Sequence, residues 1–177
     1  MILDFGQPVS GIVQFAYTVP DARAAAAKWT ELTGIGPWFF RGPFTTQQSK
    51  YRGETVPTKL YVAQAFSGHA MIELIEQRDE SPSVYRERVL DSGYGFHHIA
   101  RGTQRYEEDF AKYRNLGLSL TYESVLPTGA RLAYFDSTHE IGGMIELVEL
   151  NAQQEAVYTR VYRAAQDWDG SEPFREA

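Results

Sequence analysis

The sequence contains no cysteine. That absence removes disulfides, thiolate nucleophiles, zinc-finger sites and iron–sulfur clusters from the chemistry open to it, and it fits a reducing compartment. No apolar run approaches the roughly 18 residues of a membrane-spanning helix. The opening residues, Met1-Ile-Leu-Asp-Phe-Gly6, show neither the basic patch nor the apolar stretch of a secretory signal. A cationic excess is missing too. Lys plus Arg is 17 against 23 for Asp plus Glu, a formal charge of −6 and a pI near 5.2. Nucleic-acid binding runs on clustered Lys and Arg, so neither nucleic acid nor membrane is an expected partner. The expected location is the cytoplasm. No glycine-rich phosphate loop or dinucleotide fingerprint occurs, and the segment Gly34-Ile-Gly-Pro37 reads as a turn. What remains is a 177-residue chain that is 43% hydrophobic, enough for a sizeable core and read as one domain over residues 1–177.

The chain repeats itself. Met71-Ile-Glu-Leu-Ile-Glu76 and Met144-Ile-Glu-Leu-Val-Glu149 agree at five of six positions. Each closes a run with the same order of elements. The first run begins with the alternating strand Ile12–Val19, then a helix over Ala22–Leu32 with Asp21 at its N-cap and Gly34 at its stop. Strands are expected at 38–41, 59–66 and 70–76. The second run begins at Phe96–Ala100, continues with a helix over Tyr106–Asn115 ending at Gly117, and has strands at 119–124, 130–136 and 143–149. The fold class is therefore α+β: two βαβββ modules, about 11–77 and 95–150. A linker helix is expected at about 81–91 and an amphipathic C-terminal helix at about 151–167. The tail from Trp168 reads as surface turn. Module one carries extra loop between Gly42 and Thr58.

Side chains alternate between the faces of a strand. Glu73 therefore shares a face with Met71 and Ile75, and Glu146 with Met144 and Val148. A carboxylate among apolar neighbours is normally paired, protonated or bound to a metal. Gln14, beside Ile12 and Ala16, and His98, beside Phe96 and Ala100, hold matching places on the two opening strands. His97 falls on the opposite face. A single glutamate or histidine of this kind is more often an edge or hydrogen-bonded core residue. Four at equivalent positions of a duplicated pattern favour a site. In and just before the extra loop, Trp38, Phe44 and Tyr51 are candidates for a substrate pocket together with His97, while Phe39 and Phe40 read as core.

At Gln14-Phe-Ala-Tyr-Thr-Val-Pro-Asp21, Gly95-Phe-His-His-Ile-Ala100 and the two Ile-Glu-Leu phrases, the sequence resembles the vicinal-oxygen-chelate superfamily of glyoxalase I, methylmalonyl-CoA epimerase, bleomycin-resistance proteins and extradiol dioxygenases. The likeness covers residues 11–150 and is nearest the glyoxalase–epimerase branch. It implies that the two modules pair as curved mixed sheets around a central cleft, and that Gln14, Glu73, His98 and Glu146 hold one divalent metal ion there: zinc, cobalt, nickel, manganese or iron. It also implies that Glu73 and Glu146 double as catalytic bases, abstracting a proton next to a metal-bound carbonyl of a small carbonyl or acyl substrate. Epimerase, isomerase and lyase all fit this chemistry. A non-catalytic binder, a metal-dependent dioxygenase or a hydrolase of the same fold stays open, as does a homodimer. The dioxygenase reading is the weaker, because such iron sites typically use two His and one carboxylate and Gln14 stands where the second His belongs.

Overall fold

The structure, a computed structural model, describes residues 1–46 and 48–177. Its elements run β1 (Ile12–Thr18), α1 (Ala22–Thr33), β2 (Trp38–Thr45), β3 (Lys50–Tyr51), β4 (Glu54–Thr55), β5 (Lys59–Ser67), β6 (Ala70–Gln77), α2 (Val84–Ser92), β7 (Gly95–Thr103), α3 (Tyr106–Asn115), β8 (Ser119–Val125), β9 (Arg131–Asp136), α4 (Thr138–Ile141), β10 (Met144–Glu149), α5 (Ala152–Ala165) and β11 (Phe174–Glu176). The caps are those expected from sequence. Asp21 accepts from the Ala24 amide at 2.8 Å, and Gly34 takes the left-handed conformation at φ 73° that ends α1.

All strands join one mixed sheet in the order β11-β2-β5-β6-β1-β7-β10-β9-β8-β3-β4. The modules meet edge to edge, through the antiparallel pair β1–β7. The sheet must curl. Leu60 and Val62 of β5 share a hydrophobic cluster with Tyr122 of β8 and with Leu132 and Tyr134 of β9. Strands β5 and β9 lie five places apart, about 24 Å in a flat sheet at the usual strand spacing. Only a strongly curved sheet brings their side chains into one cluster. Only four residues, 46–49, separate the end of β2 from the start of β3, so Thr45 and Lys50 are at most about 18 Å apart. The two ends of the sheet therefore lie close to one another.

The period of two sorts the core. Met71 and Ile75 face inward with Met144 and Val148. Ile72 and Leu74 face outward against Ala22 and Ala26 of α1. Leu147 does the same against Tyr106 and Tyr113 of α3. Helix α5 lays Tyr158 and Val161 over the inward face together with Leu3 and Phe5 from the N-terminal segment.

Three features depart from the sequence reading. The extra loop of module one forms the β3–β4 hairpin, and β3 pairs with β8 of the other module through Lys50–Glu123 and Tyr51–Tyr122. The tail is not all turn, because β11 pairs in parallel with β2 and Phe174 sits edge-on to Phe40. His97 does not lie opposite His98. Between Ala16 and Tyr17 the β1–β7 register slips, so that Ala16 faces His98 and Tyr17 faces Phe96. His97 is the extra residue of this bulge. Bulges rotate the side chains that follow them, and both rings end on the same side, each against Tyr134.

Candidate metal centre

The four central strands, β6, β1, β7 and β10, carry one candidate ligand each. Ala16 is the partner of Glu73, and Ala100 is the partner of Glu146. In both modules the opening-strand residue, Gln14 or His98, therefore sits two places before the residue that faces the glutamate. The repeat in sequence becomes a repeat in register. Gln14, Glu73, His98 and Glu146 are 2%, 8%, 0% and 5% exposed.

The donors converge. Gln14 Nε2 donates to Glu73 Oε2 at 2.7 Å and approaches His98 Nε2 at 3.3 Å. His98 Nε2 lies 3.2 Å from Glu146 Oε2 and 3.9 Å from Glu73 Oε2. Glu73 Oε1 accepts from Gln64 Nε2 at 2.6 Å, and Gln64 Oε1 accepts from Arg41 at 3.0 Å. No three His or carboxylate side chains among the described residues stand in a ready-made coordination geometry. Instead the Gln14 amide N–H₂ lies between a carboxylate and an imidazole, where a cation would be welcome. Gln14 Oε1 and Glu146 Oε2 are left buried without a hydrogen-bond partner. Unpaired buried oxygens are costly; a cation among these groups would take up both once the Gln14 amide turned Oε1, in place of its N–H₂, toward Glu73 and His98. The donor set of oxygens and one imidazole nitrogen suits such an ion.

The histidine tautomers follow from the partners. Val84 C=O can only accept, so His97 Nε2, at 3.2 Å, carries a proton. The neutral His97 ring then offers a lone pair on Nδ1, which lies 2.8 Å from His98 Nδ1. His98 must donate there, and its Nε2 turns a lone pair toward Glu73, Glu146 and Gln14. Both rings are neutral. Burial drops the His97 pKa to about 3, helped by His98, and burial drops that of His98 to about 4 against the pull of Glu73. Burial raises Glu146 to about 8. Burial and then the charge of Glu146 raise Glu73. A protonated Glu146 is the form that does not repel the His98 lone pair.

His98 lies just behind Gln14, Glu73 and Glu146, which line a partly open cavity of about 70 Å³ together with Phe44, Leu60, Val62, Tyr122, Leu132 and Tyr134 among others. That holds an ion and a few small groups. Of the pocket candidates, Phe44 lines this cavity. Trp38 lies on the outward face against α1, donating to Thr30 and to the Ile35 carbonyl. Tyr51 donates to Glu87 at 2.7 Å on the far edge. His97 stands behind His98 rather than in the cavity. The sequence reading missed Arg41, Gln64, Tyr134 and Gln154, all of which line the cavity. Gln64 was detectable, since it is the polar interruption of an otherwise apolar strand, Leu60–Phe66.

Comparison with known proteins decides the family. Residues 13–135 match the model of the glyoxalase/bleomycin resistance protein/dioxygenase superfamily. The chain belongs to that superfamily. Solved structures share its fold. A Streptomyces coelicolor methylmalonyl-CoA epimerase variant in complex with 2-nitronate-propionyl-CoA superposes with a TM-score of 0.54 at 22% identity, covering 82% of this chain and 100% of that one. The Mycobacterium tuberculosis methylmalonyl-CoA epimerase gives 0.56 at 20%, covering 84% and 93%. A hypothetical protein of Bacillus halodurans gives 0.54 at 17%, covering 80% and 94%. No curated protein sequence matches the chain significantly. The paired modules of this superfamily member and the cleft between them are thus a shared architecture, and the chemistry has to be read from its own side chains.

Proposed function

We propose that the chain is a divalent-metal-dependent enzyme that abstracts a proton next to a carbonyl of a small carbonyl or acyl molecule, as an epimerase, an isomerase or a glyoxalase-type lyase. Gln14, Glu73, His98 and Glu146 would hold the ion. The reading rests on one observation: the register repeat brings four polar groups from adjacent strands together, with two orphaned oxygens and a fixed imidazole lone pair among them. All four belong to one chain, so the site needs no second copy.

A bound divalent cation supplies Lewis acidity, polarising the substrate carbonyl and acidifying the neighbouring C–H. The chain's part is to move the proton. Glu146 is the first candidate base: burial raises its pKa to about 8 in the metal-free protein, and a bound cation would lower that value, so the carboxylate would be ionised and ready to take a proton at neutral pH. Glu73, raised by the same burial, is the second base. A proton removed by one glutamate and returned by the other to the opposite face inverts the carbon. Returned to the neighbouring carbon, it isomerises the molecule. The rings of Tyr85, Tyr122 and Tyr134 wall the site from water. The structural neighbours described as methylmalonyl-CoA epimerases make an acyl thioester a reasonable first substrate to assay.

Metal analysis of protein purified without chelator should find about one divalent ion per chain. Incubation with candidate acyl thioesters in deuterium oxide should introduce deuterium at the carbon next to the carbonyl. A metal-loaded protein that binds such a compound without any exchange is a binder and not an enzyme.

A further inference from the structure

Arg41 points to the class of substrate. It leaves β2 opposite Val62 and lines the cavity with Gln14, Glu73 and Glu146. Its Nη2 donates to the Gln64 amide oxygen at 3.0 Å. Its Nε is buried with no partner among the described residues. Other arginines are held by carboxylates: Arg52 by Glu87 at 2.5 Å, Arg101 by Asp109 at 3.3 Å and Arg131 by Glu149 at 2.9 Å. Arg41 stops one residue short of Glu73, because Gln64 intervenes and hands its own amide to the carboxylate at 2.6 Å. A half-buried guanidinium whose Nε is shut off from water and bonded to nothing is costly unless something arrives to meet it. The rest of that wall is apolar or aromatic, with Phe44, Leu60, Val62 and Leu132.

We propose that Arg41 anchors a carboxylate of the substrate, so that the enzyme takes carbonyl compounds carrying a carboxylate close to the acidic carbon. This rests on the metal-dependent reading above. A guanidinium edge made of Nε and one Nη matches a carboxylate in a two-bond fork. The carbonyl of the same molecule then faces the donor set of Gln14, Glu73, His98 and Glu146. Two fixed ends orient the C–H between them toward the glutamates.

Acetoacetate and acetylacetone test this, because they have nearly the same skeleton and differ in the carboxylate. Both are titrated calorimetrically into zinc-loaded protein of the parent, Arg41→Gln and Arg41→Lys, after metal content and thermal unfolding have been checked. Arg41→Gln should weaken acetoacetate by about ten-fold or more, the size expected for a charged hydrogen bond, and leave acetylacetone within about two-fold. Arg41→Lys should fall between, keeping the charge without the fork; if Arg41→Gln does not fold, Arg41→Lys carries the test. Equal acetoacetate affinity in parent and variants with normal zinc content overturns the anchor and leaves the metal reading standing. Zinc lost from Arg41→Gln also overturns it, making Arg41 a support for Glu73 through Gln64. A parent protein that takes up no zinc overturns both.

Discussion

His97 carries more than its burial implies. It links the Val84 carbonyl to His98 and thereby decides which nitrogen of His98 carries the lone pair that faces Gln14, Glu73 and Glu146. Outer partners of this kind typically change metal affinity by about ten- to a hundred-fold. His97→Phe should lower zinc affinity by that factor, measured by chelator competition. In the metal-free parent, nitrogen-15 NMR at neutral pH should show the His98 proton on Nδ1, and in His97→Phe that preference should be lost. A parent spectrum with the proton on Nε2 would refute the relay. The buried acids give a second test. Glu146 titrates near 8 when folded and near its ordinary 4.5 when unfolded. The folded state therefore binds more protons across that window, and stability falls as pH rises through it. The histidines act the other way, since their lowered pKa values remove stability as pH falls below 6.5. The two effects oppose each other between about 4.5 and 6.5, and above that the glutamates act alone. Metal-free protein should lose thermal stability from pH 6.5 to 8, and Glu146→Gln should flatten the slope. A parent whose melting point holds constant or climbs over that range would contradict the shift.

At the scale of elements, α2 is the support of that relay. Ser83 caps it, accepting from the Arg86 amide at 3.0 Å and donating to Gln77 at 2.6 Å. Ser83→Ala should cost about 1 kcal/mol, read as a lower urea midpoint with an unchanged m-value. The long elements were legible because their patterns repeat over many residues. Alternation marked β1, strand-like runs marked β5 and β6, and Asp21 and Gly34 bracketed α1. The short ones were not. Two-residue strands such as β3 and β4 contain no period to detect, and β11 exists because β2 offers it an edge. Residues Glu73 and Glu146 were legible through duplication. Gln14 and His98 followed by their equal offsets. The side on which His97 falls was hidden, because strict alternation fails at a bulge and a bulge depends on how two distant strands pair. Trp38 misled for a related reason: an aromatic in a strand looks the same whether it faces the cavity or α1.

For the whole molecule, the consequence of the β1–β7 seam is cooperativity. Each half supplies two of the four polar groups, and the cluster around Tyr134 contains Leu60 and Val62 of the first half beside Leu132 and Met144 of the second. Neither half retains its inward core alone. The two modules should therefore unfold as one unit, with coincident transitions by tryptophan fluorescence and far-ultraviolet circular dichroism. The tryptophans lie at 29, 38 and 168, close to module one, whereas circular dichroism reports on both modules, so independent unfolding would separate the two curves. A ligand that binds only the folded state stabilises it by about 2.7 kcal/mol at a hundred times its dissociation constant. Zinc at that excess should raise the single transition without splitting it. The gain should vanish equally in Gln14→Ala and His98→Ala, although these residues belong to different modules. A zinc-induced rise that survives either substitution would place the ion elsewhere.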